Sequence, residues 1–166
     1  MKGMWIGEAS RETAVVFIHG ILSNGRSCWT HKNGTVWPNL IASHFGDTVG
    51  VYVFTYKTSL VSGGFSVGDI TASLWEHFRT DEVLECKKII FVCHSMGGIV
   101  ARKFILKYQD FLRSNEVRLG LFLIGSPSIG SRYATILAPI IRLFEHSQGE
   151  ILRFSSRNVW LNELDV

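Results

Sequence analysis

Ile89-Ile90-Phe91-Val92-Cys93-His94-Ser95-Met96-Gly97-Gly98 is the stretch on which the reading of this chain turns. The run Ile89 to Cys93 is apolar without alternation, the pattern of a strand buried on both faces of a mostly parallel sheet. From Gly97 to Leu112 the period changes: Val100, Phe104, Tyr108 and Phe111-Leu112 fall along one stripe of a helix. Little more than a tight turn fits between the two elements. Ser95 is therefore expected on a cramped strand-to-helix bend, its backbone strained and its hydroxyl held out at the end of the sheet. Such a bend demands small residues two before and two after the serine, because the strand and helix backbones nearly touch there. Gly97 meets the second demand; Cys93 stands at the first, with some crowding.

Working outward, three more apolar runs have the same buried character: Ala14 to Ile18, Val49 to Tyr56 and Leu119 to Ile124. Candidate crossover helices lie between them. Trp37 to Phe45 sets Trp37, Leu40, Ile41 and His44-Phe45 near one face, and Ser66 to Phe78 carries Ile70, Leu74 and Phe78 at steps of four. This strand–helix rhythm with right-handed crossovers gives an α/β fold, a mostly parallel sheet with helices on both faces. A chain of 166 residues fits one such domain, 1–166. Residues 127–149 break the rhythm, and Tyr133 to Phe144, apolar on most sides and interrupted by Pro139, reads equally as a lid or as a buried helix.

The bend at Ser95 makes its hydroxyl the candidate nucleophile. The helix N-terminus behind it favours negative charge, and the N–H of Met96 is a natural donor to an oxyanion. A second donor is expected from the loop His19-Gly20-Ile21-Leu22 after the first strand: the N–H of Ile21, with Leu22 as the alternative. Gly20 lets that loop turn sharply, and His19 is read as orienting it through a hydrogen bond. His94, adjacent to Ser95, points away from it and is read as a packing or hydrogen-bonding residue. His146, the one histidine after Ser95, reads as a surface loop histidine, with a displaced base as the alternative, and His31, His44 and His77 as structural or exposed. Asp110, Glu145, Glu150, Glu163 and Asp165 read as solvated carboxylates, so the residues name no acid partner.

Phe17-Ile18-His19-Gly20, Cys93-His94-Ser95-Met96-Gly97-Gly98 and Gly125-Ser126-Pro127 with Gly130-Ser131 occur in an order and spacing that resemble the α/β-hydrolase superfamily, in its lipase-like branch of serine-active-site proteins and GPI inositol-deacylases. The resemblance spans residues 14 to 131 and implies the N-terminal portion of that fold. It also implies a serine esterase or lipase, with lipid esters as the favoured substrate and no cofactor. Two departures stand out. Ser128 occupies a loop position where the family often has histidine. No late strand ending in Asp, and none followed by His, is read after Ser95, so the triad's acid and histidine are expected outside these 166 residues. The competing reading is a hydrolase-shaped binding module, or one part of a larger protein.

Composition narrows the classes. Apolar residues make up 46% and charged residues 19%, as in a chain that buries a core. The net charge of +3 comes from scattered Lys and Arg, not the concentrated stripe of a nucleic-acid surface, although contact with a membrane surface is allowed. Cys28, Cys86 and Cys93 follow no zinc spacing, and an odd count of thiols suits a reducing, cytoplasmic setting. No signal peptide or spanning segment is read.

Overall fold

A computed structural model describes residues 1–7, 12–20, 25–57 and 65–126. The strands are β1 (Lys2–Ile6), β2 (Thr13–Ile18), β3 (Gly50–Thr55), β4 (Lys88–His94) and β5 (Arg118–Ile124), and the helices are α1 (Trp37–Phe45), α2 (Val67–Thr80), α3 (Met96–Lys107) and α4 (Gln109–Ser114). The sheet order is β1-β3-β2-β4-β5. β2, β3, β4 and β5 run parallel to their neighbours, while β1 lies antiparallel on β3. The expected α/β architecture with helices on both faces is present.

Alternate side chains of the strands supply two cores. On one face Ala14, Val16 and Ile18 of β2 and Ile89, Phe91 and Cys93 of β4 meet α2 and α3. On the other, Val15, Phe17 and Val92 pack with Trp29, Trp37 and Ile41. The four-residue step read in α2 is borne out, since Ile70, Leu74 and Phe78 are all buried. Burial of each such side chain contributes about 1.5–3 kcal/mol. A capping box at Ser66 and Asp69 starts that helix: the Ser66 hydroxyl accepts from the Asp69 N–H at 3.0 Å, and Asp69 accepts from the Ser66 N–H at 2.9 Å.

Four expectations need correcting. The sequence reading passed over β1, a short, partly exposed edge strand. In α1, Leu40 and Phe45 face solvent; Trp37, Ile41 and Ala42 make the contact with the sheet. The predicted helix from Gly97 to Leu112 is two helices, because Tyr108 leaves helical geometry at φ −114° and ψ 19°. β5 is not buried on both faces. Leu119, Leu121, Leu123 and Phe122 are all more than a third exposed, and among the described residues β5 pairs only with β4, at the edge of the sheet.

Register then places the site. Ile18 of β2 stands level with Phe54 of β3 and Cys93 of β4, and Cys93 with Leu123 of β5. Gly20, Tyr56, Ser95 and Gly125 each follow two residues later, so they share one rim at the carboxyl ends of the parallel strands. From β2 the chain crosses to β3 on one side and then to β4 on the other. The crevice above β2 and β4 is thus the switch point of the sheet, where open α/β folds bind ligands.

Candidate active site

Ser95 links β4 directly to α3 and adopts φ 52°, ψ −121°, a region that side-chain-bearing residues rarely occupy. Its backbone is held at both ends. The Ser95 N–H donates to the Ile124 carbonyl at 2.9 Å. The Ser95 carbonyl accepts from the Gly98 N–H at 3.1 Å and from the Ser126 hydroxyl at 2.8 Å. Its side chain is partly exposed at the sheet rim.

Gly97 and Gly20 bring the neighbouring backbones close. A β-carbon on Gly97 would collide with the Ile18 carbonyl oxygen and stand 2.8 Å from that of His19. The crowding expected around Gly97 is real, and its nearest atoms belong to the end of the adjacent strand β2. A β-carbon on Gly20 would lie 2.8 Å from the Ser95 β-carbon and 2.9 Å from His94 Nδ1. Met96 opens α3 with its side chain in the core, and as first helical residue its N–H has no intrahelical acceptor. Ile21 and Leu22, the other expected donors, lie outside the described residues, as do His146 and residues 127–149.

His19 is completely buried and held in one tautomer. The Tyr56 N–H donates to Nε2 at 3.1 Å, which leaves the proton on Nδ1 to donate to the Gly20 carbonyl at 2.7 Å. Tyr56 also donates its hydroxyl to the His19 carbonyl at 2.6 Å and stacks on the imidazole at 4.4 Å. Burial is the main reason the His19 pKa lies below its ordinary value; its hydrogen bonds pull the other way. The ring is neutral and committed to the loop.

His94 is half-buried, with Nδ1 3.4 Å from the Cys28 sulfur, and desolvation holds its pKa down. Cys93 is buried under α3, which pushes its thiol up to about 12. Among the described residues none hydrogen-bonds the Ser95 hydroxyl, and His31, His44 and Asp110 are exposed. No group of three metal-ligating side chains occurs among the described residues. Sequence reasoning missed Tyr56 and Ser126 as parts of this site, and the contact of Cys28 on His94 beside it. Only the strand register, which aligns Tyr56 with Gly20, offered a clue to the first.

The sequence matches the alpha/beta hydrolase family over residues 15–165. The chain belongs to that family. No curated protein matches it in sequence. Among solved structures it is similar to a carboxylesterase of the ammonia-oxidizing thaumarchaeon Nitrososphaera gargenis, at 14% identity over 95% of this chain and 56% of that one, with a TM-score of 0.57. It is similar to a monoacylglycerol lipase of Paleococcus ferrophilus, at 16% identity over 89% of this chain and 51% of that one, TM-score 0.51. It is also similar to an epoxide hydrolase of Bacillus megaterium, at 13% identity over 98% and 55%, TM-score 0.53. The chain thus spans little more than half the length of these structures, and at such identities the likeness is one of fold.

Proposed function

We propose that this family member is a serine hydrolase of carboxylic esters, lipid esters foremost, with Ser95 as nucleophile. The single observation that carries the reading is the left-handed backbone of Ser95 at the switch-point rim, a strained conformation at the start of a buried helix. In the proposed reaction Ser95 Oγ attacks the ester carbonyl carbon and its proton passes to a histidine. The tetrahedral oxyanion takes hydrogen bonds from the N–H groups of Met96 and Ile21. The C–O bond of the leaving alcohol then breaks as the histidine returns the proton, and water hydrolyses the acyl-serine. His19 and Gly20 shape the oxyanion loop, Gly97 admits the bend, and His94 packs beside it. The histidine base and its acid come from outside the described residues. No cofactor enters this scheme.

A carboxylesterase and a monoacylglycerol lipase among the similar folds support the ester reading. Three free thiols fit a reducing compartment such as the cytoplasm, and no described helix is long and apolar enough to cross a membrane. The second reading is a binding module or one part of a larger protein.

The test is labelling with a fluorophosphonate, compared between wild type and Ser95→Ala. A covalent adduct mapped to Ser95 in wild type and lost in the variant is the expected result. Equal labelling of the two proteins, or none, rejects the nucleophile.

A further inference from the structure

Cys28 has no part in the reaction just described, and His94 takes no chemical step in it. Cys28 sits in the single helical turn Ser27–Trp29 after the β2 loop, and His94 is the last residue of β4. The fold brings their side chains to 3.4 Å across 66 residues of sequence. Both are half-buried, whereas Cys86 and Cys93 are buried at 2% exposure or less. We propose that Cys28 and His94 form a thiol–imidazole site that takes soft carbon electrophiles, and that an adduct there silences Ser95.

In this pair the imidazole is the neutral partner, because desolvation disfavours its charged form. In the proposed site the ring proton of His94 sits on Nε2, so that Nδ1 faces the thiol and accepts its proton as the sulfur attacks. With an α-halocarbonyl compound, the sulfur forms a C–S bond, the carbon–halogen bond breaks, halide leaves with the bonding pair, and the proton passes by way of His94 to solvent, since desolvation disfavours the charged ring.

The link to Ser95 is steric. His94 Nδ1 borders the position a β-carbon would take on Gly20, and the Ser95 β-carbon borders the same position. A group attached to the Cys28 sulfur competes with the His94 ring for space, and a ring displaced toward Gly20 enters a gap between Gly20 and Ser95 too small for a single added carbon. This second half rests on Ser95 being the nucleophile; the first does not.

The experiment treats the full chain with iodoacetamide at about pH 6.5, where a free thiol of pKa about 8.5 is almost entirely protonated. Peptide mapping is expected to find the adduct on Cys28 alone, formed about tenfold or more faster than on N-acetylcysteine. His94→Gln, checked for an unchanged far-ultraviolet spectrum, is expected to bring the rate down to that of the free thiol. Alkylation of wild-type Cys28 no faster than that of N-acetylcysteine, which needs no variant, overturns the site. Fluorophosphonate labelling of Ser95 is then measured after alkylation. A several-fold loss in wild type, absent in Cys28→Ser treated alike, is the expected result, and equal labelling before and after alkylation overturns the coupling. Absence of labelling in untreated protein rejects the serine hydrolase reading instead, and leaves the thiol site to stand or fall on the alkylation rates.

Discussion

Gly20 and Ser95 stand back to back: a β-carbon on the glycine would come within 2.8 Å of the one the serine carries. The two residues belong to different strand ends, and the parallel register of β2 and β4 sets them opposite each other. Gly20→Ala therefore has no room. The expected cost is about 1–3 kcal/mol, the usual range for an overpacked site, read as a shift in the urea midpoint at unchanged slope. Fluorophosphonate labelling at Ser95 is expected to slow in the same variant, measured in buffer where the protein remains folded.

Ser126 offers a gentler probe. Its hydroxyl donates to the Ser95 carbonyl at 2.8 Å and is one of two donors to that oxygen. Ser126→Ala leaves the Gly98 N–H in place, so a loss of about 1 kcal/mol is expected from chemical denaturation. A loss near zero would show that the Gly98 bond alone holds the bend.

The core is less forgiving. Phe78 of α2 is fully buried and meets Tyr52, Phe91 and Phe104 with ring centroids 5.1–6.1 Å apart. Phe78→Ala is expected to cost about 3–5 kcal/mol, much of the stability of a typical domain. Thermal unfolding followed by circular dichroism is the measurement, and a small shift would mean the cavity collapses.

Acid should destabilise the fold through His19. Its pKa in the folded protein lies below the ordinary imidazole value of 6.5, mainly because it is buried. At pH values between the two, the unfolded chain binds more protons than the folded one, so stability falls as pH drops below 6.5 and levels off once the folded pKa is passed. His94, lowered by desolvation as well, adds to the same trend. Urea midpoints measured across this range in wild type and His19→Asn should show a shallower acid slope in the variant, on top of a lower baseline from the lost Tyr56 contacts.

How far the residues announced all this varied with the range of the interaction. Continuous apolar runs made β2, β3 and β4 legible, because strands covered by helices on both faces need no polar face, and β5 carries the same run although it lies at the edge. β1 escaped: Lys2-Gly3-Met4-Trp5-Ile6 is short and pairs antiparallel at an edge, so its identity depends on β3 being there to receive it. The break at Tyr108 was hidden because the apolar stripe continues through Phe111 and Leu112 on either side of it. Ser95, Gly97 and Gly20 could be read because each sits in a short motif at a strand end, although the atoms that crowd the two glycines belong to a neighbouring strand end. Tyr56 on His19 and Cys28 on His94 could not, since those contacts join residues 37 and 66 positions apart and follow from the strand order alone.

The backbone bonds that hold residue 95 involve no atom of its own side chain: its N–H goes to Ile124, and its carbonyl to Gly98 and Ser126. The mount is consequently indifferent to what it carries. A different small nucleophilic group could occupy the same perch without rebuilding the sheet, so a change of chemistry here would require a new side chain and new neighbours but no new fold.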